Sequence, residues 1–288
     1  MINICANNQS TKFINWVPSE NGPLINGFGS YNNGNCIYDN IVKIYNSLKN
    51  AKPIFNISID HSFVDIFEID CPISIDSITY IEWFLMNLYG KKYDSFDHFQ
   101  FKGKDSFLNI SLDKEIKSQI YNLDINTNLE IRCLSIDIFS AECGARSWFK
   151  ADGNYVIWKI GNRGSGHILI IKNNILSSFF KVKLKKNNYV NSTNIFNDGS
   201  SESFIKFVNH IMINKEEKAE VNNNYGQIFF YNGGCGKSAF NSFIGIGNEH
   251  FTALNPFDVL DCTMKKPSDL YEQTSYAEVG IGFSGLDV

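Results

Sequence analysis

The feature that most constrains this chain is a local pattern that it carries twice. Near the start, Ile2–Cys5 suits a short strand, followed by the polar loop Ala6-Asn7-Asn8-Gln9-Ser10 and a second strand over Thr11–Val17. A turn at Pro18-Ser19-Glu20-Asn21-Gly22 then leads into a third strand through Leu24–Phe28. The same order returns at Tyr155–Ile160, the loop Gly161-Asn162-Arg163-Gly164-Ser165-Gly166, the strand His167–Lys172, an Asn173-Asn174 turn and the strand Ile175–Leu184. Each unit heads a long segment that mixes strand and helix periods. An internally duplicated α/β chain follows from that arrangement.

The segments between the units have helical spacing. Asp39 is placed to cap a helix whose Ile41, Ile44, Tyr45 and Leu48 share a face. Asp76 precedes a stripe of Ile78, Ile81, Leu85 and Leu88 that ends at Gly90. Pro53–Ile59 and Phe63–Ile69 read as a hairpin around Asp60-His61-Ser62, Leu129–Ile136 as a buried strand, and Ser140–Phe149 as a helix joining the halves. Further on, Ser201 opens a helix with Phe204, Phe207, Val208 and Ile211 on one side. Lys215–Asn224 is a charged, Asn-rich connection expected to be exposed, and Gln227–Tyr231 is a strand that runs into a glycine-rich turn.

Composition narrows the function classes. A chain of 288 residues, 43% hydrophobic and 19% charged, is long enough for two cores and too apolar for disorder. Its formal net charge of −4 gives no global attraction to nucleic acid. No basic segment precedes an apolar run at Met1–Cys5, and no stretch approaches the ~20 apolar residues of a membrane span. The seven cysteines are scattered, with no Cys-x-x-Cys pair, so free thiols in a reducing compartment are expected rather than disulfides or a zinc site.

Two loops are candidates for chemistry. Gly233-Gly234-Cys235-Gly236 lies between a strand and a helix, where bare backbone N–H groups admit a phosphate or ribose, although a plain tight turn accounts for it equally well. The following Lys237-Ser238 imitates a P-loop ending, but that motif needs glycine at Tyr231. Gly161–Gly166 is open to the same two readings.

Specific motifs then resemble the PilM family of type IV pilus assembly proteins. Ile81-Glu82-Trp83, Tyr93-Asp94 and Asp97-His98-Phe99-Gln100-Phe101 are similar to that family's extra subdomain. Ile228–Gly234, the segment Ala253-Leu254-Asn255-Pro256-Phe257 and the ending Tyr276–Phe283 are similar to its Gly-Gly turn, its Asn-Pro-Phe segment and its terminal helix. The resemblance implies an actin-like, two-lobed fold, with lobes over 1–150 and 151–288 and a small inserted subdomain near 52–128. It implies a nucleotide cleft between the lobes, formed by two phosphate loops and a late adenosine turn. Asn7, Lys159, Gly161, Gly164, Gly233 and Gly234 are the residues of this sequence that would meet ATP or ADP.

The departures bear on activity. The family's Asp-x-Gly pattern, whose carboxylates organise Mg²⁺, reads Asn3-Ile4-Cys5 and Lys159-Ile160-Gly161 here. Asn lacks the charge that a hard cation prefers, and Lys repels the ion. A hydrolase relies on that charge placement for most of its rate. The resemblance therefore implies a degenerate scaffold without catalytic or metal residues, akin to the cytoplasmic part of the secretion protein GspL. Such a scaffold would be cytoplasmic, peripheral to the inner membrane, and docked on a short cytoplasmic peptide of a partner resembling PilN. An active ATPase or kinase-like transferase is the alternative, and a stand-alone α/β protein the third reading.

Individual residues have plainer expectations. Asp60-His61, Asp97-His98 and Glu249-His250 lack ligand spacing. Glu142 is expected to be a solvated helix carboxylate, Arg146 and Arg163 to lie at the surface, and Lys181, Lys183, Lys185 and Lys186 to form a wet strand face. Trp83, Trp148 and Trp158 are expected to pack in cores, and Cys235 to be a small residue that fits its turn.

Overall fold

A computed structural model describes residues 1–7, 10–20, 22–32, 37–48, 53–71, 77–103, 105–127, 129–162, 165–184, 190–197, 201–213, 225–247 and 251–283. Both repeated patterns form the start of a sheet. The first sheet contains β1 (Ile2–Ala6), β2 (Ser10–Ser19), β3 (Gly22–Asn32) and β4 (Ile54–Ile59). The second-sheet counterparts are β9 (Tyr155–Ile160), β10 (Ser165–Lys172), β11 (Ile175–Leu184) and β13 (Gln227–Asn232). With β8 (Glu130–Ile136) and β14 (Phe251–Ala253) at their far edges, the strand orders are β3-β2-β1-β4-β8 and β11-β10-β9-β13-β14. Strand directions match as well: neighbours among the first three strands are antiparallel, and the last two run parallel to the central strand, β1 or β9. Two sheets with one topology are the duplication expected from the sequence. Each carries one extra strand, β15 (Asp261–Cys262) beside β3 and β12 (Val190–Asn197) beside β11.

The central strands β1 and β9 are buried along their whole length. That is the behaviour of strands covered on both faces, which read as near-continuous apolar runs. Side chains alternate between the two faces. Ile2 and Ile4 point to a core shared with α1 (Ile37–Ser47) and α3 (Lys114–Thr127), while Val156, Trp158 and Ile160 pack with α5 (Ser201–Ile213) and α6 (Lys237–Gly247). Tyr155, Ile157, Leu169 and Phe229 face the other way, into a core that the second sheet shares with Ile14 and Trp16 of the first. Between the sheets lie α4 (Asp137–Phe149) and a 3₁₀ segment, Thr274–Phe283. Gly280 permits that contact, because a Cβ there would meet the Ser140 carbonyl at 2.3 Å. The Asn173-Asn174 turn joins β10 to β11 with positive φ at both residues, which suits asparagine and matches the twist of a two-residue hairpin.

Several expectations change. Ile54–Ile59 and Val64–Asp70 do not form a hairpin: β4 pairs with β1 and β8, and β5 (Val64–Asp70) joins a separate sheet of order β5-β7-β6. There β6 is Phe96–Lys102 and β7 is Ser106–Asp113. The two strands differ in kind, since β4 is almost wholly buried and β5 is half-exposed, so they suit different sheets. The short 3₁₀ turn His61–Phe63 redirects the chain between them. Thus β4 and α3, placed by sequence in the inserted segment, belong to the first core. The added layer is β5–β7 with α2 (Ser77–Tyr89) packed on it through Ile81 and Leu85.

Asp39 lies in the first turn of α1 rather than at its cap, still favourable for the helix dipole. Trp83 is 57% exposed instead of packed, whereas Trp148 and Trp158 are buried. Asp76, Glu249, His250, Lys185, Lys186 and 215–224 lie outside the described residues. Cys5, Cys71, Cys133, Cys143, Cys235 and Cys262 are free thiols. Among the described residues, no helix is long and apolar enough to cross a membrane.

Candidate functional site

Two polar residues interrupt the buried central strands, Asn3 in β1 and Lys159 in β9, and both point into the space between the sheets. A polar group without a partner is costly there, and a charge far more so. Lys159, 3% exposed, is met by three carboxylates: its Nζ lies 2.5 Å from Asp137 Oδ2, 2.8 Å from Glu278 Oε1 and 3.4 Å from Asp60 Oδ2. Asp60 comes from the end of β4, Asp137 from the first turn of α4 and Glu278 from the 3₁₀ segment. Asp137 Oδ2 also accepts from the His61 backbone N–H at 3.0 Å and lies 2.7 Å from His61 Nδ1, which places the ring proton on Nδ1. Beyond it the rings of His61 and His167 lie 4.0 Å apart.

The charges settle one another unequally. Burial alone would raise the Asp137 carboxyl, but Lys159 and His61 hold it well below the usual carboxylate range. Burial opposes the Lys159 charge too, and the surrounding carboxylates overcome it and raise its pKa. Glu278 is raised, by burial first and by Asp137 beside it. Burial pushes His167 down to about 3, so the imidazole is neutral. The Tyr231 phenol is raised by burial and by its neighbour Glu278.

Asn3 is engaged differently. Its Oδ1 accepts from Asn56 Nδ2 at 2.9 Å, and Gly282 lies so close that a Cβ there would sit 1.8 Å from the same oxygen. Asn3 is thus held against Asn56 and Gly282 rather than facing open space on that side.

An open cleft of about 480 Å³ lies above this cluster. Asn7 and Ser10 of the first loop, Asn162 of the second, Asn232 and Gly234–Gly236 of the late turn, and Tyr271, Glu272, Ser275, Tyr276 and Glu278 line it. The three loops expected to converge on one cleft therefore do so. Asn7 and Gly234 reach its wall; Gly161 and Gly233 lie one residue from wall residues, and Gly164 and Arg163 are outside the described residues. Lys159 is directed to its carboxylates beneath, its stem covered by Gly233, where a Cβ would meet Lys159 Cγ at 2.3 Å.

The loop N–H groups are largely engaged within the chain. Asn232 Oδ1 accepts from Gly234 and Cys235 at 2.9 and 3.0 Å. Gly233 N–H donates to Ile160 at 2.8 Å and Gly161 N–H to Ser165 at 2.6 Å. Asn7 Oδ1 takes the Ser10 N–H at 2.8 Å. Lys12 is a cation on the cleft wall that sequence reasoning passed over. It lies 5.4 Å from the Tyr276 ring centre and donates to the Ser275 carbonyl, and burial lowers its pKa against the pull of Glu278 and Glu272.

Glu142 is buried rather than solvated. It accepts from Tyr155 Oη at 2.5 Å and from Arg146 Nε at 2.7 Å, which ties α4 to β9. A second cavity, an apolar groove of about 390 Å³, runs between the first sheet and the three-stranded one. Ile59, Leu134 and Ile136 form one side and Phe99, Phe101, Ile110 and Leu112 the other, with Phe139 at its end. Phe99 and Phe101 project from β6, the outer strand of its sheet, and are 47% and 52% exposed.

No protein-family model and no curated protein matches the sequence. Among solved structures, a chain of the PilM–PilN type IV pilus biogenesis complex matches with a TM-score of 0.59 at 11% identity, covering 100% of this chain and 98% of that one. The cytoplasmic domain of EpsL, an inner-membrane component of the Vibrio cholerae type II secretion system, follows at a TM-score of 0.46 and 7% identity, covering 96% of this chain and 93% of its own. A Bacteroides thetaiotaomicron protein with an actin-like ATPase fold and unknown function gives 0.43 and 11%, covering 90% and 91%. The match to the PilM–PilN chain, together with the twin sheets, shows that this protein has the actin-like α/β fold.

Proposed function

We infer that this protein is a cytoplasmic docking component of a type IV pilus or type II secretion-like assembly system, and that it holds its partner without hydrolysing nucleotide. The apolar groove between β8 and β6 carries this reading. Two outer strands flank it, Phe99 and Phe101 stand exposed in its wall, and its floor is lined by Ile59, Ile110 and Leu112. An extended segment docks to such a seam by adding backbone hydrogen bonds at a strand edge and placing alternate apolar side chains in the floor. The occupant in this reading is a short cytoplasmic peptide of a PilN-like inner-membrane protein, which also makes the chain peripheral to that membrane.

The cleft's chemistry supports the non-hydrolysing half. Lys159 and Asn3 stand in place of the expected carboxylates, and Lys159 is committed to Asp60, Asp137 and Glu278. The N–H groups of Gly161, Gly233, Gly234 and Cys235 serve the chain itself. ATP or ADP, if held, would rest on Lys12 and the remaining wall, with little dependence on Mg²⁺. Titrating the cytoplasmic tail of the membrane protein that co-purifies from native membranes tests the docking. Phe101→Asp should weaken its binding by roughly tenfold or more, the loss of one buried aromatic anchor. Equal binding by the variant would remove the groove from consideration.

A further inference from the structure

The helix laid on the added sheet, α2, is apolar on both sides. Ile81 and Leu85 face the sheet and are buried, yet Ile78, Trp83, Met86 and Leu88 are each more than half exposed. Its 13 residues carry one charge, Glu82. A helix that is apolar all round is ordinarily covered all round, and clustered exposed apolar groups mark an interaction surface. The outward line Thr79, Trp83, Met86 and Gly90 is spaced by four, three and four residues, as in a seam along which two helices pack. Trp83 is held in place on that line: its ring lies 5.8 Å from that of Tyr80.

Two occupants do not suit this face. A helix lying on a membrane carries Lys and Arg on its polar side, whereas α2 has neither and has one acid. The groove proposed for the extended peptide lies on the other face of the three-stranded sheet. Along β7, Phe107 packs with α2 while Ile110 and Leu112 line the groove, and alternate residues face opposite ways.

The charges instead complement themselves. Glu82 is exposed near one end of the outward line, and the 3₁₀ turn Gly90–Ser95 brings exposed Lys91 and Lys92 to the other, with Asp94 further along. Among the described residues, Glu82, Lys91 and Lys92 have no ion-pair partner. An antiparallel copy of the helix, turned about a two-fold axis beside Met86 and Asn87, sets Glu82 against Lys91 and Lys92 of that copy. The same register lays Trp83 over Gly90, where a Cβ would have nothing within 4 Å. Two-fold symmetry repeats each contact.

We propose that the outer face of α2 is a self-association surface, on which α2 of a second copy of this chain packs antiparallel. One helix pair falls short of the roughly 800 Å² per partner of a standard interface, so the dimer is a weak one.

Sedimentation velocity on the full chain, with no peptide or nucleotide present, tests this from about 1 to 200 µM. A monomer–dimer equilibrium with Kd on the order of 10 µM is expected. Trp83→Glu should weaken it by about tenfold or more, as loss of a central aromatic anchor does. Glu82→Lys alone, and Lys91→Glu with Lys92→Glu, should each weaken it severalfold by setting like charges together. An equimolar mixture of those two variants should regain the dimer, because the mixed pair has an acid facing a base at both ends. Three results each overturn the proposal: a monomer at every concentration, association that survives Trp83→Glu, or a mixture no more associated than its components. None of them bears on the docking reading, since Phe101 stands on the opposite face and the peptide titration tests it separately.

Discussion

Replacing Lys159 by methionine keeps most of its stem and removes only the charge. The ammonium is 3% exposed and neutralises Asp137 at 2.5 Å and Glu278 at 2.8 Å. Removing one partner of a buried ion pair costs about 3–5 kcal/mol, because the charge left behind has neither water nor counter-ion. For a chain of this size each kcal/mol moves Tm by roughly 2–4 °C, so Lys159→Met should melt on the order of 10 °C lower at pH 7.

The loss should also depend on pH. In the unmodified protein the folded-state pKa of Asp137 is depressed, so its contribution is present above the unfolded value of about 3.9 and lost as pH falls. In the variant His61 still opposes burial at Asp137, but Glu278, already raised by burial, loses the Lys159 charge that held it down and rises further, so its contribution is present at low pH and lost as pH rises. The gap between the two proteins must therefore widen from pH 4 to pH 7. Urea unfolding at several pH values measures it. A difference below about 1 kcal/mol at pH 7, the scale of an exposed pair, or one that does not change with pH, would refute the reasoning.

Other consequences are separately measurable. Burial depresses His167 to about 3, so its stabilisation is full above the unfolded value of about 6.5 and is lost as pH falls toward 3; His167→Gln should flatten the fall in urea midpoint over that range. Gly282→Ala should cost about 1–3 kcal/mol by overpacking against Asn3, with part regained in the double variant with Asn3→Ala. Tyr155→Phe leaves Glu142 without its 2.5 Å donor and should lower stability by about 1–3 kcal/mol in thermal unfolding. Phosphate release from Mg·ATP should stay at background, and steady turnover lost on mutating Lys159 would replace the docking component with an enzyme.

What the sequence by itself determined is the set of features written within a few neighbouring residues. Strand alternation at Tyr155–Ile160, the paired asparagines of the Asn173-Asn174 turn and the apolar stripe of Ser201–Ile213 each depend on local spacing, and the duplicated topology follows from the order of such units. Tertiary structure alone decided which distant groups meet. Lys159 could be seen as a charge in an apolar strand, but its partners lie 22 residues away at Asp137, 99 at Asp60 and far ahead at Glu278. No period in the sequence links them. Glu142 and Trp83 exchanged their expected environments for the same reason: a helix pattern tells which residues share a face, not what that face meets. The partner of β4 was hidden likewise, since an adjacent strand and a distant one offer the same apolar run. Burial on both faces, which only the assembled sheets create, selected β1 and β8 over β5.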